Sequence, residues 1–340
     1  MISNMKKILV LMTGGTIGSS LNDGIISVKK DSCRAVELYC RRFGNDVQFH
    51  TAGLLNILSE NLDKQHWEII VNYLRNTDLS GYSGVIITHG SDTLSYSSAM
   101  MSFCLCGLQL PVVLTAADLV PDAPGSNAVD DLRGAVTVIQ NMLGGVYTVY
   151  KNPGDEYCSV YLASRITEAD RVRGHFTSAD GSPFALIRDD KMYFTGTASA
   201  QEAVERLHPI AFEGDLSLKN DVLMLRQYPG MDVSCIRLCS SVRAVLVITY
   251  HSSSGCTEGR GSLLTLLADC RKRSAGLYLA SFPENASLYE TSDTLINNGA
   301  VPLRHISNEA AYAKLLLAVN LPITDISSFM EREVCLETIR

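Results

Sequence analysis

The chain has 340 residues, of which 46% are hydrophobic and 19% are charged, a balance typical of a globular protein with one large core or two ordinary ones. Its net charge of −7, without any basic stripe, argues against a nucleic-acid partner. No apolar run approaches the ~20 residues of a membrane span, and the first apolar segment is too short for a secretory signal, so neither a membrane association nor a leader is expected.

The first element is an apolar strand that ends in a glycine-rich turn. Ile8–Met12 has the length and composition of a strand that is buried on both faces. Gly14 and Gly15 allow a sharp turn and a close approach of the backbone to a ligand. Thr16 follows at the carboxyl end of the strand, where open α/β sheets place their ligands. Thr16 is therefore a candidate nucleophile, and the alternative is that its hydroxyl caps a helix.

A second passage further along the chain repeats this pattern. Val85–Thr88 has the composition of a buried strand, and His89 and a glycine follow it. The next two residues are Ser91, which supplies a hydroxyl, and Asp92, which supplies a carboxylate. Because the carboxyl ends of parallel strands meet at one edge of a sheet, these two polar turns can converge on one pocket.

Strands and helices alternate through the first part of the chain. Helical spacing at Ser95–Leu108 and Asn127–Met142 is interleaved with apolar strand patterns at Leu110–Thr115 and Val146–Tyr150. Val47–His50 has the pattern of a further, short strand. This alternation indicates βαβ units around a largely parallel sheet.

A charged, irregular stretch separates this block from a second one. We therefore predict an N-terminal domain at residues 1–200, a linker at 201–220 and a C-terminal domain at 221–340. The second block again alternates, with a strand at Val222–Leu225 and a helix near Ser234–Ser240. This pattern predicts a smaller α/β domain.

The ten cysteines are scattered along the chain. Only two pairs lie close together in sequence, Cys104 with Cys106 and Cys235 with Cys239. Neither has the paired short spacing of a zinc site. The cysteines therefore predict reduced, mostly buried thiols, with no disulfide and no metal.

The two glycine turns resemble the signatures of a known family. The chain is similar to the bacterial type of the asparaginase/glutaminase family at Thr13-Gly14-Gly15-Thr16-Ile17 and at His89-Gly90-Ser91-Asp92-Thr93. The resemblance is closest to the cytoplasmic branch and runs from about Lys7 to about Ala318. It implies a larger N-terminal domain with a mainly parallel sheet flanked by helices, and a smaller flavodoxin-like or Rossmann-like C-terminal domain. It also implies a cytoplasmic homodimer or homotetramer with sites between subunits, and no required cofactor.

The resemblance also implies roles for individual side chains. Thr16 corresponds to the threonine nucleophile, and Ser91 replaces a second threonine that helps to activate water or the nucleophile. Asp92 corresponds to the carboxylate that holds the α-ammonium group of the substrate, and the alternative is a helix cap. Ser59 and Glu60 fall where family members contact the α-carboxylate. Because a carboxylate there would repel that group, Glu60 points away or the ligand differs.

Three further residues have more than one possible role. Glu309 corresponds to a family glutamate that reaches a neighbouring subunit's site and contacts the α-ammonium group, and the alternative is an ordinary exposed helix residue. The family has a histidine at the position of His89 and does not use it as the base, so a structural hydrogen-bonding role is preferred. His251 lies in a turn, Tyr250–Gly255, that either lines a ligand pocket or caps the following helix.

The chain departs from the family pattern at its proton relay. The segment Thr167–His175 has no lysine where the family has its active-site lysine, and Arg173 is the nearest cation. Arginine is always protonated and cannot act as a base. The segment Asp23–Ser27, which corresponds by resemblance to the family's mobile lid, lacks the usual tyrosine. Our hypothesis from the sequence is that Lys29 or Lys30, just past the lid, reaches in and replaces the missing base.

These observations predict an amidohydrolase that resembles L-asparaginase. Its partner would be a small-molecule amide, L-asparagine or a related compound, which loses ammonia through an acyl-enzyme on Thr16. The retention of Thr16, Ser91 and Asp92 favours an enzyme. The missing lysine and tyrosine, and Glu60, favour a degenerate asparaginase-fold protein that binds an amino acid without efficient turnover. The altered lid and the Tyr250–Gly255 turn favour a third alternative, an amidase for a larger amide.

Overall fold

Two larger sheets organise the described residues, one in each unit, and the first unit also contains a small two-stranded antiparallel sheet. The computed structural model describes residues 7–22, 25–28, 33–196, 200–282 and 288–339. The first unit comprises Met1–Leu216 together with Val334–Leu336, and the second comprises Ser217–Glu333 together with Glu337–Arg340. Each unit contains strands followed by helices, so the α/β fold class expected from the alternating pattern is confirmed.

The first unit carries most of the strands. In chain order these are β1 (Lys7–Gly14), β2 (Ser19–Asn22), β3 (Ile25–Val28), β4 (Gln48–Ile57), β5 (Gly84–Thr88), β6 (Val112–Thr115), β7 (Val146–Tyr150), β8 (Cys158–Leu162), β9 (Ala185–Arg188) and β10 (Lys191–Phe194). Its helices are α1 (Arg34–Phe43), α2 (Lys64–Asn76), α3 (Leu94–Leu105), α4 (Ala128–Asn141) and α5 (Ala200–Glu205). The short helix α5 occupies part of the segment 201–220 that the sequence indicated as a linker.

The large sheet is parallel where the site lies and antiparallel at its far side. Its strand order is β10-β9-β8-β7-β6-β5-β1-β4. Along this order, the neighbouring strands β4, β1, β5, β6 and β7 pair in parallel. The pairs β7–β8, β8–β9 and β9–β10 are antiparallel. A mainly parallel sheet flanked by helices is thus confirmed, and the carboxyl ends of β4, β1, β5, β6 and β7 share one edge.

Strand β4 is longer than the sequence pattern indicated. The strand predicted at Val47–His50 extends to Ile57 because it pairs with β1 from Lys7 opposite Gln48 to Gly14 opposite Ile57. Its residues are mostly half-buried, and Ala52 and Gly53 have little intrinsic strand preference. The ladder to the buried strand β1, a tertiary interaction, therefore decides the length of β4.

The second unit is a smaller sheet with its own helices. Its strands are β11 (Asp221–Arg226), β12 (Val242–Ile248), β13 (Gly276–Phe282) and β14 (Val301–Arg304), in the order β11-β12-β13-β14 and all parallel. Its helices are α6 (Leu263–Lys272), α7 (Glu290–Asn297), α8 (Asn308–Ala318) and α9 (Ile326–Glu331). This arrangement confirms the predicted smaller α/β domain.

The helix predicted near Ser234–Ser240 is wrong. The segment forms a single 3₁₀ turn, Val233–Cys235, and the backbone becomes extended at Ile236. The side chain of Asp232 accepts hydrogen bonds from the backbone N–H and the hydroxyl of Ser234, at 3.0 and 2.7 Å. These local bonds satisfy the turn in a non-helical conformation and compete with a continuous helix.

A chain of buried hydrogen bonds holds the turn that follows β5. The Nδ1 of His89 lies 2.8 Å from the carbonyl of Gly90, which can only accept, so Nδ1 carries the proton. The hydroxyl of Ser97 therefore donates to Nε2 at 2.9 Å, and it accepts from the indole N–H of Trp67 at 2.8 Å. Burial lowers the pKa of His89, which keeps the ring neutral. The hydrogen-bonding role preferred for His89 is therefore seen directly.

The second unit contains a fully buried ion pair. Lys314 in α8 and Glu337 are 1% and 2% exposed, and their charged atoms lie 2.7 Å apart. The ammonium group of Lys314 also donates to the carbonyl oxygens of Met330 and Arg332. Three acceptors thus satisfy the three N–H groups of the lysine, which is the condition under which a buried charge is tolerated.

Three features of the described residues bear on the expectations from composition. Within the described ranges, no helix combines the length and the apolar character that crossing a membrane requires. All ten cysteines are free thiols. In the same part of the chain, no three or more His, Cys, Asp or Glu side chains are grouped so that they could hold a metal ion.

We predict that replacing Lys314 by methionine lowers the free energy of unfolding by about 3–5 kcal/mol, because Glu337 would keep a buried charge without its partner. Urea denaturation monitored by circular dichroism measures the change. The double variant Lys314→Met/Glu337→Leu is the control, since it buries no charge and should recover most of the loss. A single variant within about 0.5 kcal/mol of the wild type would contradict this account.

We predict that His89 makes the fold less stable in mild acid. The unfolded histidine protonates near pH 6.5, while the buried ring stays neutral because its pKa is lowered. As pH falls below about 6.5, the unfolded state binds more protons, and the free energy of unfolding drops by up to about 1.4 kcal/mol per pH unit from this group. The variant His89→Gln should therefore lose part of this slope. Stability curves of the two proteins that stay parallel between pH 5 and 8 would contradict the prediction.

Candidate active site

Three turns meet at the carboxyl edge of the large sheet. The backbone N–H of Gly15 donates to the carbonyl of Ile57 at the end of β4, at 3.3 Å. Gly15 has a φ of 75°, and a Cβ on it would lie 2.6 Å from the backbone nitrogen of Gly90. A Cβ on Gly90 would lie 2.4 Å from the hydroxyl oxygen of Ser59. The turns after β1, β4 and β5 are therefore in direct backbone contact, which only glycine permits at these positions.

This contact brings the residues singled out from the sequence together. Thr16 begins the 3₁₀ turn Thr16–Gly18 directly after β1 and is half-buried. The hydroxyl of Ser59 donates to Asp92 Oδ2 at 3.4 Å, and the hydroxyl of Thr93 donates to the carbonyl of Ser59 at 3.0 Å. Ser91 begins the 3₁₀ turn that carries Asp92. The hydroxyl and carboxylate side chains at these strand ends thus lie at one edge, and their catalytic and binding roles stay predictions.

Ser91 and Asp92 line a cavity of about 420 Å³. The residues that line it are Ser91, Asp92, Asp118, Tyr150, Pro153, Glu168, Ala169, Asp170, Arg171, Gly174 and Phe176. Among these lining residues, four carboxylates stand against the single guanidinium of Arg171. This excess of negative charge favours a ligand that carries a cationic group, such as an α-ammonium group.

The far wall of the cavity is a folded-back loop. Phe176 is buried, and its ring packs edge-on against that of Tyr150 with centroids 4.7 Å apart. The Asn152 side chain accepts from the Phe176 N–H at 2.8 Å, and the Tyr161 hydroxyl donates to the Phe176 carbonyl at 2.8 Å. His175 donates to the carbonyl of Pro153 at 2.9 Å. These bonds fix the loop that places Glu168 and the residues after it.

The same loop decides which arginine contributes to the cavity. Asp170 Oδ1 accepts from the N–H of Val172 at 2.6 Å and of Arg173 at 3.1 Å, and these backbone bonds lower the pKa of Asp170. The tight turn they stabilise places Arg171 among the lining residues. Arg173, the cation nearest the missing lysine in sequence, is exposed and is not among those that line the cavity.

The other residues singled out from the sequence have different positions. Glu60 is exposed and is not among the residues that line the cavity, and both alternatives for its role stay predictions. Glu309, in the first turn of α8, is 5% exposed, so the alternative of an ordinary exposed helix residue is wrong. His251 is exposed in its turn. Lys29 and Lys30 lie outside the described residues, so their role stays a hypothesis.

The lining residues that the sequence did not single out are of two kinds. Tyr150 is the last residue of β7 and Asp118 follows β6, so the strand-end rule that indicated Thr16 would also have found them. Glu168 and Arg171 come instead from the loop after β8, which is antiparallel to β7. Only the density of charges in that loop could have indicated them.

Comparison with known proteins gives the same fold. Residues 7–199 match the family model described as Asparaginase, N-terminal. The chain is 25% identical to the L-asparaginase of Thermococcus kodakarensis, over 96% of this chain and 98% of that one. It is 24% identical to one of the subunits of the glutamyl-tRNA(Gln) amidotransferase of Methanosphaera stadtmanae, over 93% of this chain and 73% of that one.

Solved structures agree with the sequence comparisons. The thermostable L-asparaginase from Thermococcus kodakarensis has a TM-score of 0.80 at 24% identity and covers 98% of this chain and 99% of its own. L-asparaginase I from Vibrio cholerae has a TM-score of 0.76 at 20% identity, with the same coverage. Since the family model also matches more than half of the chain, this protein belongs to the asparaginase family.

Proposed function

We propose that this protein is an amidohydrolase that converts L-asparagine, or a closely related small amide, to the acid and ammonia. The observation that carries the proposal is the contact of the turns after β1, β4 and β5, which brings Thr16, Ser59 and the Ser91–Asp92 pair to one edge of the sheet. The near full-length similarity to an L-asparaginase supports the same reaction.

In the proposed reaction, the Thr16 hydroxyl attacks the side-chain amide carbon of the substrate. The C–N bond breaks, ammonia leaves, and water then hydrolyses the ester on Thr16. Asp92 holds the α-ammonium group by a charge-assisted hydrogen bond, and the acidic cavity beyond it adds to this attraction. Ser91 assists the attacking hydroxyl, as its place in the second turn suggests.

The proposal also includes an assembly and a location. By resemblance, the protein would form a homodimer or homotetramer in the cytoplasm, with Glu309 directed to a neighbouring subunit's site. A likeness to a structure named as a probable cytoplasmic L-asparaginase, from Campylobacter jejuni, supports the location.

One observation favours a larger amide as the second candidate substrate. The cavity of about 420 Å³ falls in the size range of pockets that enclose drug-sized ligands, which is larger than a single amino acid requires. A relative of comparable identity is named as part of an amidotransferase. The degenerate binding protein is the other alternative, because the segment Thr167–His175 has no lysine.

We predict that the wild type releases ammonia from L-asparagine and that Thr16→Ala lowers kcat by about a thousandfold or more, because the nucleophile is removed. An enzyme-coupled ammonia assay with asparagine, glutamine and longer amides measures the rates. Thr16→Ser is the matched control, since it keeps the hydroxyl and should retain part of the activity.

The same panel separates the alternatives. Release from longer amides alone would indicate the larger substrate. A rise in melting temperature with asparagine, without release of ammonia, would indicate a binding protein, because any ligand of the native state stabilises it. A Thr16→Ala variant as active as the wild type would contradict the nucleophile assignment.

A further inference from the structure

The proposed hydrolysis requires a proton acceptor that the family resemblance does not supply. A hydroxyl nucleophile must lose its proton as it attacks, and the leaving nitrogen must gain one. Arg173 is exposed and does not line the cavity, and a guanidinium group has no lone pair with which to accept a proton. The acceptor must therefore be another side chain, and the side chains that line the cavity with Ser91 are the candidates.

Most of the polar groups in the cavity wall are engaged in other ways. Asp170 accepts two N–H bonds from its own turn, and these lower its pKa and make it a weaker base. Asp118 accepts from the N–H groups of Leu119 and Asn127, at 2.7 and 3.4 Å, and so holds its own loop. Burial raises the pKa of the Tyr150 phenol, which therefore stays protonated.

Glu168 accepts a hydrogen bond from a side chain of another element, whereas Asp118 and Asp170 accept from backbone N–H groups of their own loops. The Tyr96 hydroxyl donates to Glu168 Oε1 at 2.7 Å. Tyr96 belongs to α3, the helix that directly follows the turn bearing Ser91 and Asp92. This bond ties the carboxylate of the far wall to the helix that directly follows the turn carrying Ser91, the second hydroxyl of the site.

We propose that Glu168 is the general base of the reaction, in the place of the lysine, and that Tyr96 is its positioning residue. This inference rests on the proposed function. In acylation, Thr16 passes its proton through the Ser91 hydroxyl to Glu168 as the new C–O bond forms. Glu168 then returns the proton to the nitrogen as the C–N bond breaks and ammonia leaves. In deacylation, the proton of the attacking water follows the same route to Glu168 and returns to the Thr16 oxygen, so no net proton remains on the enzyme.

The test compares Glu168 with Asp118, a second carboxylate of the cavity wall. Glu168 and Asp118 are both exposed side chains of the cavity wall, so removing either charge leaves the core intact. We expect Glu168→Gln to lower kcat for ammonia release by about 10²- to 10⁴-fold, the usual contribution of a general base. We expect Asp118→Asn to stay within about tenfold of the wild type, and Lys29→Ala and Lys30→Ala to retain full activity.

The Tyr96→Phe variant tests the positioning role through the coupling of the two side chains. Loss of the phenol removes the hydrogen bond that holds the Glu168 carboxylate, so kcat should fall while KM stays close to that of the wild type. In the Glu168→Gln background, Tyr96→Phe should then cause no further loss of kcat. A merely structural role for Tyr96 would lower kcat by the same factor in both backgrounds.

The outcomes distinguish a failure of the proposed amidohydrolase function from a failure of the Glu168 assignment alone. A wild type that releases no ammonia rejects the proposed function and this inference with it. If the wild type is active and Thr16→Ala is not, then a Glu168→Gln variant within about threefold of the wild type overturns the inference alone. Equal losses in Glu168→Gln and Asp118→Asn also overturn it, because they would reflect the charge of the cavity rather than proton transfer. Loss of activity in Lys29→Ala or Lys30→Ala, with Glu168→Gln active, would assign the base to that lysine.

Discussion

Direct backbone contact between three strand-end turns is the constraint on which the candidate site depends. A Cβ at Gly15 would collide with the backbone of His89 and Gly90, and a Cβ at Gly90 would collide with the side chain of Ser59. Neither collision is relieved by turning a flexible side chain, since the groups belong to the backbone or to a short, buried serine. The hydroxyl and carboxylate groups of these turns come together because Gly15 allows two backbones to touch and Gly90 leaves room for the Ser59 side chain.

Buried polar groups next to the site form their hydrogen bonds with other protein groups rather than with solvent. On one side, the Trp67 indole, the Ser97 hydroxyl and the His89 ring form a continuous chain of donors and acceptors. On the other, Asn152 and Tyr161 bind the backbone of Phe176. Hydrogen bonds in such dry surroundings are strong and directional, so both walls of the cavity are held in one geometry before a ligand arrives.

The strand-end residues of the candidate site could be predicted from the sequence, whereas the far wall of the cavity could not. Thr16, Ser91 and Asp92 follow short apolar runs that end in glycine, a local pattern, and parallel pairing brings such ends to one edge. The position of Glu168 depends instead on bonds from Asn152 and Tyr161 to a phenylalanine 15 or more residues away. Contacts of this kind leave no periodicity in the sequence.

The difference between local sequence patterns and tertiary contacts also explains where the secondary-structure predictions differ from the structure. The helix expected near Ser234–Ser240 fails because a single aspartate side chain satisfies the turn locally, which apolar spacing does not show. Strand β4 extends past its predicted end because its partner β1 is buried and long. The buried position of Glu309 is likewise a tertiary outcome, since α8 is buried along almost its whole length.

The three residues Val334–Leu336 have a consequence for how the protein is made. They belong to the first unit although more than one hundred residues separate them from Leu216. Leu336 lies in the hydrophobic core of that unit, the Cys335 carbonyl accepts from the Ser164 hydroxyl, and the Leu336 carbonyl accepts from the Arg165 side chain. During synthesis on the ribosome, the N-terminal unit therefore cannot complete its core when its own stretch of chain has emerged. Leu336 can join that core only after Ser217–Glu333, the main part of the second unit, has been translated.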